Sequence, residues 1–487
     1  MSKKILSIFL ILCMTAIMLF GDSYGVFRRR RSAEEKMFDD ALILWYTDEK
    51  YGEYLRDAAV AYEMKTGVKV IPTQVSDVDY LEQIQNATTN GTKSPSLFVL
   101  PNDQLEKAVL SGLAAETRDP DAVLNSAFYA DAGLRGVTYR DKTYGYPLSY
   151  ESAFVIYNET VMEEIAANIP EPGEEGDTEG ITLVDESTAE ETSEEVVELT
   201  EEEKLALEAT AKEILPTSVV GILDFAKQYS LPEGVESYFL WDTKDVLYNY
   251  WFAGAYLSVG GENSDKSEDI NMYNENALYS LSVYQDFREF FSMDEDSEDY
   301  SQTIDDFIHR KCVFTVAGTD IISRMEEAKA SGEFTDEYDI LPIGMLNGTL
   351  QSKGLSVTTM VCVNGLSEDR TEAERFAAFV TTEYAAYLYP RCNKMSAAHL
   401  KEYLVPQMKT MEDCYEHTIA IPKMVETSNY YMLVEMCFSN VWDGKDVNAE
   451  LKSLSESVLR NYYGADFSHE TIETPEVLEN YNDIGDN

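Results

Sequence analysis

Apolar runs and amphipathic stretches alternate at the start of the globular part of the chain. The runs ALILWY, VKVIP and SLFVLP are typical of buried strands and occupy residues 41–46, 68–72 and 96–101. The stretches between and after them have helical apolar spacing and occupy residues 50–67, 79–91 and 103–112. Strands that alternate with such helices predict βαβ units and a mostly parallel sheet, in which ligands bind beyond the carboxyl ends of the strands. Here those ends follow Trp45 and Leu100.

The same two patterns continue to the end of the chain, with helices predominating. Helical tracts are expected at residues 221–230, 248–261, 275–291, 372–389, 429–442 and 449–463, and Pro390 ends the fourth of them. Buried strands are expected at residues 313–318 and 356–363. At 487 residues the chain is long for a single core. We therefore predict two α/β domains.

One carboxylate interrupts an apolar run. The stretch YGYPLSYESAFVIYN, residues 144–158, is typical of a chain that enters a buried strand, yet Glu151 lies within it. A buried carboxylate without a partner is costly, so such a residue is hydrogen-bonded, lies at the edge of a cleft, or both. For Glu151 the alternatives are a ligand contact and an ion pair with an internal Arg or Lys.

The charge of the chain limits its partners. Acidic residues outnumber basic residues by 89 to 38, for a net charge of −51. Such a chain repels nucleic acids and anionic membrane surfaces, so neither class is expected to bind. An acidic cleft suits neutral polyols or cations. Residues 171–203 hold 15 acids and no base, separated by Pro, Gly, Ser and Thr, which predicts a disordered surface insertion.

The N-terminus indicates export. MSKK precedes an uncharged apolar run at residues 5–21, the order of an export signal, and this run is barely long enough to span a membrane. The small residues Ser23 and Gly25 have the spacing of a cleavage site, whereas the arginines at 28–31 oppose translocation. We assign residues 1–25 to a signal peptide or an N-terminal membrane anchor and residues 26–38 to a basic linker. The body is expected to be extracytoplasmic and held at the outer face of the cell membrane.

Cysteine and histidine are scattered rather than clustered. Cys13 lies in the apolar N-terminal run, the other five cysteines form no CxxC pair, and the four histidines are far apart. We therefore predict no metal and no cofactor, and mostly reduced cysteines with one disulfide left open. The chain has no GxSxG, HExxH or P-loop pattern, so we do not expect an enzyme.

Four stretches, in this order, resemble one family. LILWYTDEKYGEYLRDAAVAYEMKTGVKV is similar to the family's opening strand, loop, helix and second strand, and SPSLFVLPNDQLEKAVLSGLAAE to its next strand, ligand loop and helix. YRDKTYGYPLSYESAFVIYN resembles its G-K-x-Y-(G/A)-x-P stretch, and FIHRKCVFTVAG its F-x-x-G-K-x-A-M strand, although Arg310 replaces the usual glycine. Across residues 40–465 the chain thus resembles the periplasmic-type sugar-binding proteins of ABC importers, the maltose-binding-protein class of extracellular solute-binding proteins.

The resemblance implies a two-lobe periplasmic-binding-protein-like fold, in which each lobe is a mostly parallel sheet flanked by helices and the ligand cleft lies between them. The implied first lobe comprises residues 39–148 and about 355–400, and the implied second lobe residues 149–354 and about 401–465. The insertion 171–203 falls within the second lobe, and residues 466–487 form an acidic tail.

The resemblance also implies a function. A monomer would capture a small-molecule carbohydrate or polyol between closing lobes and deliver it to the permease subunits of an ABC importer, without catalysis. A membrane-anchored ligand-sensing receptor module without transport is the alternative.

The resemblance places ligand contacts residue by residue. Charged groups, tyrosines and one tryptophan at matching positions are implied to contact the ligand: Glu49, Lys50, Asp103, Tyr150, Glu151, Trp241, Asp242, Asp320 and Tyr431. Leu100 and Asp320 replace aromatic residues of the family, which indicates a smaller, more polar or amine-bearing ligand.

Several of these residues also have structural interpretations. Asp103 and Asp320 each precede a helical tract and suit an N-cap. Glu49 and Lys50 suit an exposed surface pair, and Tyr431 suits ordinary helix packing. Trp45 and Trp442 are assigned to the core.

Overall fold

The structure, a computed structural model, describes residues 41–90, 94–169, 200–291, 299–367 and 369–475. Its strands are β1 (Leu42–Tyr46), β2 (Val70–Gln74), β3 (Leu97–Pro101), β4 (Thr138–Tyr139), β5 (Lys142–Thr143), β6 (Tyr146–Asn158), β7 (Ser237–Leu240), β8 (Ser258–Val259), β9 (Ile270–Asn271), β10 (Cys312–Gly318), β11 (Tyr338–Leu341), β12 (Leu355–Val363), β13 (Met395–Ser396) and β14 (Ile419–Ala420).

Helices flank these strands along the chain. They are α1 (Tyr51–Thr66), α2 (Tyr80–Thr89), α3 (Leu105–Leu110), α4 (Asp131–Val137), α5 (Glu159–Ala167), α6 (Glu201–Glu213), α7 (Val219–Gln228), α8 (Glu275–Phe291), α9 (Tyr300–Ile308), α10 (Ile321–Ser331), α11 (Arg370–Thr381), α12 (Leu388–Cys392), α13 (Pro406–Tyr415), α14 (Tyr430–Trp442) and α15 (Val447–Tyr463). No helix within the described ranges is both long enough and apolar enough to cross a membrane.

The main sheet has the order β2-β1-β3-β12-β6-β10-β7. β1 runs parallel to β2 and β3, and β10 runs parallel to β7, as the alternating pattern predicts. β12 and β6 run antiparallel to each other, β12 also runs antiparallel to β3, and β6 to β10, so the sheet is mixed rather than mostly parallel. This difference arises because these two strands carry the chain from one lobe to the other.

β6 is shared by two lobes. Its first half pairs with β12 and β13, and its second half pairs with β10 and β11. We call the part built on β1, β2, β3, β12 and the first half of β6 the first lobe. The part built on the second half of β6 with β7, β10 and β11 is the second lobe.

Each lobe has its own apolar core. In the first lobe, α1 and α11 cover the strands, and side chains such as Leu44, Tyr54 and Phe376 are fully buried. The second lobe has an aromatic core in which Trp241 stacks on Phe239, with ring centroids 4.4 Å apart. The burial of large aromatic side chains contributes strongly to the stability of each lobe.

Two helical predictions are wrong in detail. The tract 372–389 is not one helix, because α11 ends at Thr381 and Pro390 lies inside the separate helix α12. A proline is tolerated there because the first backbone N–H groups of a helix have no intrahelical acceptor. The tract 248–261 forms short 3-10 turns and β8 instead of a regular helix.

The predicted insertion at 171–203 ends a few residues too late. Thr200 caps α6, its hydroxyl accepts the N–H of Glu203, and the Glu203 carboxylate accepts the N–H of Thr200. This capping box shows that residues 200–203 begin an ordered helix. The rest of the predicted insertion, like residues 1–40, lies outside the described residues.

The conformation and contacts of Arg310 show how an arginine occupies the position where the family usually has glycine. It has a φ of 60°, a left-handed conformation that favours glycine. Its guanidinium contacts the carboxylates of Glu164 and Asp336, the latter at 3.0 Å. These charge-assisted contacts offset the backbone strain and tie the turn before β10 to α5.

Candidate functional site

The carboxyl ends of the strands meet between the lobes. Pro101 at the end of β3 pairs with Thr359 in β12, and Gly318 at the end of β10 pairs with Ala153 in β6. The loops after β1 and β3 therefore face the second lobe, and the loops after β7 and β10 face the first lobe. These loops carry five of the predicted contacts, namely Glu49, Lys50, Asp103, Asp242 and Asp320.

Glu151 lies at the junction of the two lobes. β10 of the second lobe and β13 of the first lobe lie end to end along one edge of β6, with Glu151 beside the gap. Its Oε1 accepts a hydrogen bond from Lys394 Nζ at 2.6 Å, and its Oε2 accepts one from the Thr319 hydroxyl at 2.6 Å. The internal ion pair that the sequence left open is thus present, and each lobe binds one oxygen of the carboxylate.

Lys394 is the cation of this junction. Its side chain is only 15% exposed, and its Nζ also lies 3.4 Å from Asp48 Oδ2. Burial acts to lower the pKa of Lys394, but Glu151, Tyr51 and Asp48 outweigh burial and raise the pKa above its usual value. The ammonium therefore stays charged and holds the two carboxylates together.

The second-lobe side of the cleft contains a pair of stacked tyrosines. The rings of Tyr248 and Tyr300 are 4.6 Å apart and nearly parallel. The Tyr300 hydroxyl donates to Asp320 Oδ1 at 2.5 Å and accepts the N–H of Gly318 at 3.0 Å. Although Asp320 precedes α10, its side chain does not cap that helix, so the capping interpretation is wrong.

Asp242 and Tyr431 are held by contacts within the second lobe. The Asp242 carboxylate, 7% exposed, accepts the backbone N–H groups of Lys244, Asp245 and Tyr300. Desolvation by burial raises its pKa. The Tyr431 hydroxyl donates to Asp245 Oδ1. Asp242 thus stabilises a turn. Half-buried Tyr431 lies beside it, on the second-lobe side that also carries Asp245.

The first-lobe side presents three exposed charged residues. Glu49 and Lys50 occupy the turn after β1, where the Lys50 N–H donates to Asp48 Oδ1 at 3.0 Å. Asp103 is exposed to water, yet desolvation by the surrounding protein raises its pKa, as expected for a side chain on the wall of a cleft. Its own N–H and that of Gln104 partly offset this effect.

Two predicted contacts are unavailable to a ligand in this conformation. Tyr150 is fully buried and stacks on Tyr415 with ring centroids 3.8 Å apart. It alternates with Glu151 along β6 and therefore points to the opposite face. Trp241 is also fully buried, and its Nε1 donates to Asn249 Oδ1 at 2.7 Å. Both side chains belong to the core.

Sequence reasoning missed several residues of the cleft. Thr319 and Lys394 contact Glu151 from the two lobes, and Tyr248 and Tyr300 form the stacked pair. Lys394 precedes a strand of only two residues, too short to detect from a pattern. Tyr248 lies in the tract predicted as helix. The sequence signal that could have identified Tyr300 is its position at the start of an amphipathic helix, α9.

The arrangement of the described residues bears on metal sites and disulfides. Within those ranges no group of three or more His, Cys, Asp or Glu side chains is arranged to hold a metal ion. No disulfide joins Cys312, Cys362, Cys392, Cys414 and Cys437 to one another, and all of them but Cys414 are buried.

A family profile and several solved structures match this chain. The sequence profile of the bacterial extracellular solute-binding protein family matches residues 57–388. No curated protein sequence matches the chain significantly. A Staphylococcus aureus extracellular solute-binding protein, solved with maltose, is 16% identical, with a TM-score of 0.67 and coverage of 87% of this chain and 97% of that one.

Two further structures show the same fold. A cyclo/maltodextrin-binding protein solved with maltotetraose is 15% identical, with a TM-score of 0.63 and coverage of 87% of this chain and 96% of that one. A maltose-binding periplasmic protein from Listeria monocytogenes, solved with maltose, is 16% identical, with a TM-score of 0.58 and coverage of 87% and 99%. With its two lobes on shared strands and its family match over most of its length, this chain belongs to the bacterial extracellular solute-binding protein family.

Proposed function

We propose that this protein binds a carbohydrate in the cleft between its lobes and delivers it to the permease subunits of an ABC importer. It acts outside the cytoplasm as a monomer, at the outer face of the cell membrane, where residues 1–25 serve as export signal or anchor. It binds and releases its ligand without chemical change.

The observation that carries this proposal is the set of polar groups, two on loops and one on α14, that lie on the two sides of the junction between the lobes. Asp103 lies on the first-lobe side, and Asp320 and Tyr431 lie on the second-lobe side. A carboxylate accepts charge-assisted hydrogen bonds from sugar hydroxyls, and a tyrosine offers an apolar face with a polar tip. The three solved structures compared above carry maltose or maltotetraose, which supports a saccharide as the class of ligand.

The proposed contacts come from both lobes. Glu49, Lys50 and Asp103 bind from the first lobe, and Asp320 and Tyr431 bind from the second. Because both oxygens of Glu151 bind protein groups, we assign it mainly to the junction between the lobes. Leu100 is fully buried and offers no aromatic platform, which favours a ligand smaller than a long maltodextrin.

Thermal unfolding of the full-length chain in the presence of a panel of saccharides and polyols tests this proposal. A ligand at a hundred times its dissociation constant adds about 2.7 kcal/mol of stability. The expected result is a rise in Tm with one saccharide class that is reduced in Asp103→Asn and kept in Glu63→Gln, a matched change on the exposed face of α1. A panel without any shift contradicts saccharide binding.

Transport and the absence of chemistry need separate measurements. Cells that lack the gene are expected to lose uptake of the labelled ligand and to regain it on complementation. The ligand recovered from the protein is expected to have an unchanged mass. Normal uptake in the deleted cells contradicts delivery to an importer, and a converted ligand contradicts a purely binding role.

A further inference from the structure

The second-lobe wall of the cleft holds carboxylates that bind only neutral donors. Asp242 accepts three backbone N–H groups, Asp245 accepts the Leu247 N–H and the Tyr431 hydroxyl, and Asp320 accepts the Tyr300 hydroxyl. Among the described residues, no side-chain nitrogen of Lys, Arg or His lies within 4.0 Å of any of these three carboxylates, the distance limit for an ion pair. Within the described ranges, their negative charge is therefore not neutralised by an ion pair.

Tyr248 adds an unused polar group to this wall. Its side chain is only 9% exposed, so it is more than nine-tenths buried, and its hydroxyl has no hydrogen-bond partner among the described residues. A Cβ added to Gly318 would lie 3.0 Å from Asp320 Oδ1, 3.4 Å from the Tyr300 hydroxyl and 3.5 Å from the Tyr248 hydroxyl. The three oxygens thus converge beside a glycine. Although the residue is nearly buried, the Tyr248 hydroxyl oxygen itself is not sealed from solvent. It is therefore open to a hydrogen-bonding group that a ligand supplies.

The electrostatic environment of Tyr248 supports a positive ligand group. Its pKa is raised by burial and then by the carboxylates of Asp320, Asp245, Asp242 and Glu151. Burial, Asp245 and Asp242 likewise raise the pKa of Glu435 on α14. Carboxylates from several elements therefore act on one region of the cleft.

Two cations near this region, Arg324 and Lys394, are engaged by other groups. Arg324 lies over the Tyr300 ring, with its Cζ 5.4 Å from the ring centroid, and donates to the Ser301 hydroxyl at 3.0 Å. Lys394 is held by Glu151 at 2.6 Å and by Asp48 at 3.4 Å. Neither side chain neutralises Asp320.

We propose that the ligand carries a protonated amine that binds the Asp320 carboxylate and the Tyr248 hydroxyl. An ammonium group has three donors, and this site offers it the second oxygen of Asp320 and the free Tyr248 oxygen. The ligand class is then an amino sugar or an oligosaccharide that contains one. This inference rests on the proposed function, because it assigns the ligand of the same cleft.

Calorimetric titration of the full-length chain with matched sugars tests the inference. The probes are glucosamine, galactosamine and mannosamine, the corresponding N-acetyl and neutral sugars, and the β-1,4-linked disaccharides of each. At least one amine-bearing sugar is expected to bind about tenfold or more tighter than its neutral and N-acetyl counterparts. Equal or tighter binding of a neutral sugar overturns the amine assignment and leaves carbohydrate binding intact. Silence of every probe overturns both.

Two variants assign the preference to this site. Asp320→Asn keeps an acceptor for Tyr300 but removes the charge. Tyr248→Phe removes a hydroxyl that has no partner in the described part of the chain. Both are expected to reduce the preference for the amine at least about fivefold, while Tyr248→Phe leaves the unfolding midpoint unchanged. Glu327→Gln, on the exposed face of α10, is the matched control and keeps the full preference. An unchanged preference in Asp320→Asn and Tyr248→Phe overturns the proposal.

Discussion

Glu151→Gln separates a junction role for this residue from a ligand role. The change keeps the shape of the side chain and its acceptor for Thr319, but it removes the charge that Lys394 binds at 2.6 Å. The Glu151 side chain is 34% exposed and that of Lys394 is 15% exposed, so the pair is intermediate between a surface pair and a buried pair. Breaking a surface pair costs at most about 1 kcal/mol, and removing one partner of a buried pair costs about 3–5 kcal/mol.

Lys394 keeps Asp48 at 3.4 Å, which limits the loss. We therefore expect the free energy of unfolding of the ligand-free chain to fall by about 2 kcal/mol, measured by urea titration at pH 7. The matched control is Glu53→Gln, which breaks an ion pair with Arg391 at 3.1 Å in which Glu53 is 57% exposed. Its expected loss is about 0.5 kcal/mol.

The reasoning is refuted if Glu151→Gln destabilises the ligand-free chain no more than Glu53→Gln does. If ligand affinity falls while stability is kept, Glu151 serves the ligand rather than the junction.

Three further predictions follow from individual residues. Arg310→Gly removes left-handed backbone strain worth about 1 kcal/mol but leaves the nearly buried Glu164 carboxylate without its cation. We therefore expect the free energy of unfolding, measured in urea, to fall by about 2 kcal/mol, and a rise contradicts the account. Burial lowers the pKa of Lys423 to about 7, below its value of about 10.4 in the unfolded chain, so between these pH values the unfolded state binds more protons. The free energy of unfolding should therefore rise between pH 7 and about 9, and Lys423→Met should reduce this slope by up to about 1.4 kcal/mol per pH unit. Urea unfolding at several pH values tests this, and parallel curves for the two chains contradict it. Gly318→Ala places a methyl group 3.0 Å from Asp320 Oδ1 and is expected to weaken ligand binding about tenfold in calorimetry, whereas unchanged affinity places the ligand elsewhere.

The alternating pattern predicted the elements that build the cleft. The strands β3 and β10, which precede Asp103 and Asp320, were predicted within two residues of their observed bounds. Short apolar runs between amphipathic helices have few other stable arrangements. Parallel pairing then brought the strand ends to one edge, as the sequence led us to expect.

Side-chain roles depended on pairings that the sequence does not contain. Lys394 meets Glu151 across 243 positions of the chain, through the two-residue strand β13, and no local pattern reports such a contact. Trp241, beside Asp242, suggested a ligand contact, but tertiary packing in an aromatic core overrode that interpretation. Strand alternation puts Tyr150 and Glu151 on opposite faces, but only the pairing of β6 with its neighbours shows that Tyr150 is the one in the core.

The central claim is that one ligand binds groups from both lobes at once. Its most direct test is calorimetric titration of the full-length chain with the sugar that raises its Tm most, comparing Asp103→Asn in the first lobe with Asp320→Asn in the second. The account predicts one site per chain and at least about tenfold weaker binding in each variant. Wild-type affinity in either variant would contradict a ligand held between the lobes.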